Sequence, residues 1–131
     1  MTAYNLPLTT GANCVIVAGK RGGEERVAAC VVRSDTHVDI KTVVKRTLDV
    51  RRPSFLPMDR ATIESGMEYG AITPVGLPDT WRLLVDPRVL SMTVAIIGSG
   101  RRGSKLLLPG NLLAELPGAE VINDLGRDPR A

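Results

Sequence analysis

The sequence predicts an α+β domain whose sheet is mixed or largely antiparallel and barrel-like. Apolar, β-branched runs outnumber helical patterns. The first two runs follow one another as a hairpin. Helices are inserted between strands rather than alternating with them, unlike a doubly wound parallel fold. At 131 residues the chain holds a single core, so residues 1–131 are read as one domain. An apolar fraction of 44% and a mean hydropathy of +0.06 fit a packed chain rather than a disordered one.

Each element follows from local pattern. Cys14–Ala18 and Val27–Val32 are apolar runs flanking a segment that contains Gly22-Gly23, which reads as a hairpin with both faces covered. A turn centred on Gly22-Gly23 sets Cys14 roughly opposite Cys30, as two buried, reduced thiols. Ile40, Val43, Val44 and Leu48 recur at helical spacing, with Lys41, Lys45 and Arg46 opposite and Asp39 as the N-cap. A second helix is marked by Asp59 as N-cap, Met58 and Ile63 as a hydrophobic staple, and Gly66 at its end. Residues 66–78 hold three glycines and two prolines without sustained period, and read as loop. Strands follow at Trp81–Val85 and Met92–Ile97, then a turn over Gly98–Gly103 and a short strand at Lys105–Leu108. Leu112, Leu113 and Leu116 mark a short amphipathic helix and Glu120–Ile122 a last strand. Residues 124–131 read as a tail, frayed from Gly126 onward.

Composition limits the function classes. Aromatic residues make up 3% of the chain, which is a poor platform for stacking bases. The net charge of +3 and a pI near 9.2 suit an anionic partner such as RNA but do not single one out. The N-terminus lacks a secretory pattern, and the apolar runs are too short to span a bilayer. Two cysteines without a Cys-x-x-Cys pair complete the expectation of a cytoplasmic chain with free thiols and no membrane partner.

The standard catalytic signatures are missing. The single histidine, His37, gives no His-based metal cluster and little scope for a Ser-His-Asp triad, and reads as a surface residue. Gly98-Ser99-Gly100-Arg101-Arg102-Gly103 has the Gly-x-Gly-x-x-Gly form but precedes a short strand, so a dinucleotide site is not implied. Two glycine-rich loops remain, Gly70–Gly76 and Gly98–Gly103, each beside an apolar strand. They are either simple turns or loops whose exposed amides approach a ligand and stabilise an oxyanion.

Asp39-Ile-Lys-Thr-Val-Val-Lys, Gly66, Gly70-Ala-Ile-Thr-Pro-Val-Gly, Leu83-Leu-Val-Asp86 and Gly98-Ser-Gly-Arg-Arg-Gly-Ser-Lys105 occur in this order. Together they resemble the YbaK-type aminoacyl-tRNA deacylases, including editing domains associated with prolyl-tRNA synthetase, over about Asn13 to Ile122. The resemblance implies a mixed, largely antiparallel sheet curling into a partly open barrel with flanking helices. It also implies hydrolysis of the ester of mischarged tRNA with backbone groups and water, without metal or other cofactor. By the same resemblance Gly70 lines the substrate pocket, Thr73 and Pro74 shape it, and Asp86 stands near it. The alternative for Asp86 is a cap on the Pro87-Arg88 turn. Gly98, Ser99 and Gly100 match the second loop. Arg101, Arg102 and Lys105 would face tRNA phosphate or form a solvated basic turn.

Two departures bear on function. The family's lysine at the head of the first strand is replaced by Asn13, whose amide can hydrogen-bond but brings no positive charge. Only Met1–Ala12 precede that strand where family members carry some tens of residues, so a natural short form or an internal start is expected. Three readings follow: a trans-editing deacylase with Asn13 and Gly70 as its catalytic positions; a non-catalytic module that binds aminoacyl-tRNA or a synthetase; and an inactive domain stable only as a homodimer.

Overall fold

The computed structural model describes residues 11–68, 72–101 and 104–128. Strands β1 (Ala12–Arg21) and β2 (Glu24–Arg33) form the expected hairpin, with Arg21 paired to Glu24. Gly22 and Gly23 have φ of +58° and +84°, the pair of left-handed residues that a two-residue turn with the native strand twist requires. Cys14 pairs with Val31 and Cys30 with Val15, so the two thiols point to opposite faces rather than at each other. Residues paired around a two-residue turn are separated by an odd number, and the interval between the cysteines is even. Both are free, and Cys30 is buried.

The hairpin is covered on both faces, as its continuous hydrophobicity demands. Ile16, Ala18, Ala29 and Val31 pack with Leu56, Ala61, Ile72 and Ile97 on one side. Val17, Ala28, Cys30 and Val32 pack with Val43, Val44, Leu48 and Leu125 on the other. The second layer is built by β3 (His37–Val38), a π-helical turn at Ile40–Val44 and α1 (Lys45–Leu48). Asp39 caps that turn as expected, accepting from the Thr42 N–H at 3.0 Å.

β4 (Arg51–Phe55) adds to the β1 edge, with a register shift between Ala18 and Lys20. No local pattern marks it, because Arg-Arg-Pro-Ser-Phe neither alternates nor avoids proline, and only an edge strand tolerates both. α2 (Met58–Ser65) starts after Pro57, not after Asp59, and Asp59 lies inside the first turn, accepting from the Arg60 N–H. Met58 and Ile63 are 42% and 79% exposed, so no staple forms. Gly66, at φ +72°, ends the helix as expected.

β5 (Arg82–Val85) runs parallel to β2, and β8 (Ala119–Val121) runs parallel to β5. The five-stranded order is β4-β1-β2-β5-β8, and the sheet is open rather than closed into a barrel. Its antiparallel half is the hairpin with β4. In its parallel half, β5 is joined to β8 through α3 (Pro87–Leu90), the β6 (Ala95–Gly98) and β7 (Lys105–Leu108) hairpin, and a 3₁₀ turn at Gly110–Glu115 in place of the expected leucine helix. The expected frayed tail is a correction. Leu125 is fully buried and Gly126–Arg127 form β9 against β3. Among the described residues no helix is long and apolar enough to cross a membrane.

Candidate functional site

β4 pairs with β1 only from Val17 to Lys20, and the Leu56 N–H closes onto Ile16 O at 2.9 Å. Toward its N-terminus β1 therefore leaves the β4 ladder, and β6 approaches through a bridge between Gly11 and Ile96. The gap is a cleft of about 220 Å³ lined by Ala12, Asn13, Cys14, Val15, Met58, Ile72, Gly98 and Lys105. Gly98 and Lys105 face each other across the β6–β7 ladder. Four parts of the fold, β1, α2, the loop at Ile72 and the β6–β7 hairpin, thus meet in one small space.

The polar groups here are available. Asn13 is exposed, and its amide has no hydrogen-bond partner among the described residues. Lys105 is exposed and enters no ion pair among them. Cys14 is different: burial pushes its thiol up to about 12, so it stays protonated at neutral pH and is no nucleophile.

A second depression is lined by chain neighbours of three cleft residues: Thr73 follows Ile72, Ser99 follows Gly98 and Leu106 follows Lys105. Here the two glycine-rich loops meet. The Glu68 N–H donates to Gly100 O at 2.9 Å, and the Thr73 N–H to the Met67 sulfur at 3.3 Å. Thr73 is 3% exposed, yet its Oγ1 has no hydrogen-bond partner among the described residues. A buried hydroxyl without a partner is costly and rare in a folded chain. Ser99 is engaged within its own turn, with its Oγ 2.5 Å from Ser104 Oγ and 3.1 Å from Arg101 O. Arg101 is exposed at the rim.

Other expected site residues lie elsewhere. Pro74 lines a separate hollow with Leu77, Trp81 and Leu116. Asp86 is 2% exposed and lines neither the cleft nor the second depression. Its Oδ1 accepts from the Arg88 N–H at 2.7 Å and its Oδ2 from the Gly126 N–H at 2.6 Å. Capping α3 and anchoring β9 is what this carboxylate does. Gly70 and Arg102 lie outside the described residues. Met58, Cys14 and Ile72 are not among the expected site residues; nothing in their spacing groups them, since they come from a helix, a strand and a loop that only the tertiary fold brings together. Among the described residues no group of three or more His, Cys, Asp or Glu side chains is placed to hold a metal ion.

A family model described as an aminoacyl-tRNA editing domain matches residues 1–116. No curated protein matches the chain by sequence. Among solved structures, that of the hypothetical protein APE2540 is similar at 23% identity and a TM-score of 0.83, over 95% of this chain and 79% of that one. A protein described as a candidate trans-editing enzyme for prolyl tRNA synthetase is similar at 16% identity and a TM-score of 0.78, over 92% of this chain and 73% of that one. At such identities the two structures establish the fold.

Proposed function

The chain belongs to the aminoacyl-tRNA editing domain family, and on that footing we propose that it hydrolyses the ester of mischarged tRNA within the Asn13–Lys105 cleft. The observation that carries this reading is the convergence of Asn13, Gly98 and Lys105 on one cleft of about 220 Å³. That is smaller than the roughly 300–1,000 Å³ of ordinary small-molecule sites, which suits a small aminoacyl group and penalises a larger one. Each excess methylene would be disfavoured by about 1–3 kcal/mol.

The roles follow from the chemistry of the groups. Attack of water on the ester carbonyl places negative charge on its oxygen, and the Lys105 ammonium stabilises that charge. In the family pattern a lysine heads the first strand; here the cation comes from β7, across the cleft from Asn13. The Asn13 amide holds a ribose hydroxyl, and the unpartnered Thr73 Oγ1 accepts from the substrate's α-ammonium group. Loss of one such oxyanion donor typically costs about 10²–10³ in kcat.

A panel of mischarged tRNAs incubated with pure protein tests this. Turnover of at least one charged with a small amino acid is expected, and Lys105→Met should lower kcat about 100-fold with a much smaller change in KM. A panel left wholly intact, with hydrolysis switched on by Asn13→Lys alone, would instead make the native protein a binding module.

A further inference from the structure

A second concave surface lies beyond the cleft, between β4 and α2. Its shape begins with Gly19. A Cβ there would fall 2.5 Å from Val50 Cγ2, so only glycine lets the chain entering β4 cross β1 so closely. The crossing sets Arg51 opposite Lys20 and forces Arg52 to φ +48°, an uncommon conformation for a residue with a side chain. The result is a groove of about 480 Å³ to which β1 and β4 contribute Lys20, Arg51, Arg52 and Phe55.

Its charge is unbalanced. Lys20, Arg51 and Arg52 are exposed and form no ion pair among the described residues. The acidic side chain in the groove, Glu25, is held by Arg60 through two hydrogen bonds of 2.7 and 3.0 Å. That contact keeps the Glu25 carboxyl below its usual range, with Lys20 adding to the effect. The apolar content is equally telling. Phe55 is the sole phenylalanine of the chain and is 58% exposed here, although the core is built entirely from smaller apolar residues. Cations beside an exposed aromatic ring are the pairing that single-stranded nucleic acid requires, with charge for phosphates and a flat face for a base.

The groove also leads somewhere. Phe55, Leu56 and Pro57 line it, and the next residue, Met58, lines the cleft. Along β1, Lys20 stands roughly 23 Å from Asn13 at the usual strand rise.

We propose that this groove binds single-stranded RNA, its cations on successive phosphates and Phe55 stacked on a base, so that the 3′ end reaches the cleft. The placing of that end rests on the deacylase reading above; the binding itself does not.

Fluorescence anisotropy with deacylated tRNA, and with a short single-stranded RNA ending in CCA, tests the proposal across a salt series. Arg51→Glu with Arg52→Glu should weaken binding at least tenfold and flatten the log–log salt slope by about 1.4, two phosphate contacts' worth. Phe55→Ala should weaken it about fivefold or more and leave the slope unchanged. All three positions are exposed, so circular dichroism melts should match those of the unaltered protein. Wild-type affinity retained by these variants would overturn the groove. So would equal competition by polyglutamate together with indifference to Phe55→Ala, which would mark a mere surface for acidic chains. Binding decides the groove and hydrolysis of charged tRNA by the unaltered protein decides the cleft, so either can fail alone.

Discussion

Asp86 and Thr73 are both buried polar side chains, 2% and 3% exposed, and they differ in what they touch. Asp86 accepts from two backbone N–H groups, those of Arg88 and Gly126. Arg88 completes the junction by donating from Nη2 to Gly126 O at 2.6 Å. Thr73 Oγ1 has no partner among the described residues. A buried group with its bonds made stabilises the fold it sits in, whereas one left without them costs about 1–3 kcal/mol. The junction of β5, α3 and β9 is therefore complete as folded. The cleft side holds polar capacity that the described residues do not use, and the proposed function gives it a substrate group to meet.

The largest test of this contrast is Asp86→Ala. It removes the α3 cap and leaves the buried Gly126 N–H without an acceptor. The two losses should lower unfolding free energy by about 3 kcal/mol in urea titration. Deacylation per folded molecule should be unchanged. If activity falls while the fold holds, Asp86 belongs to the site after all and the contrast fails.

Thr73→Val is the complementary change, because valine keeps the shape and deletes the hydroxyl. Stability should hold or rise by about 1 kcal/mol, since an unsatisfied buried group disappears. On mischarged tRNA, kcat/KM should fall about tenfold or more, the value of one hydrogen bond to a charged group of the substrate. A variant more stable and equally active would reduce Thr73 to an unexplained defect in packing.

The same contrast explains how much the sequence could reveal. Local pattern was enough wherever local physics decides the outcome. Gly22-Gly23 dictated the hairpin, Asp39 its helical turn, and Lys105–Leu108 its strand to the residue. It failed where tertiary contacts decide. β4 exists because an edge accepts Arg-Arg-Pro-Ser-Phe, and β9 because Asp86 and Arg88 reach across to Gly126. The candidate site divides in the same way. Asn13, Gly98 and Lys105 come together in one cleft, with Thr73, Ser99, Gly100 and Arg101 in the adjoining depression. Asp86 does not join them, because a carboxylate at a strand end serves a cap as readily as a pocket, and one sequence cannot distinguish the two.

The smallest expected effect comes from a pair that is satisfied but not buried. Glu120 on β8 accepts two hydrogen bonds from Arg82 on β5, at 2.7 and 2.9 Å, with side chains 39% and 40% exposed. Arg82 also donates to Thr47 O at 2.9 Å, tying α1 to the sheet independently of the carboxylate. The hydrogen bonds from Arg82 hold the Glu120 carboxyl below its ordinary value. A depressed carboxylate contributes stability that is present above its unfolded pKa of about 4.3 and is lost as pH falls through the lower folded value. Glu120→Gln should therefore cost under about 1 kcal/mol at neutral pH, because solvent screens so exposed a pair. It should also make stability fall less steeply in the acid range, as read from urea unfolding at a series of pH values. A neutral-pH loss larger than that of Asp86→Ala would mean that pairing alone, without burial, holds this sheet together, and the weight given to burial in contrasting Asp86 with Thr73 would have to be redrawn.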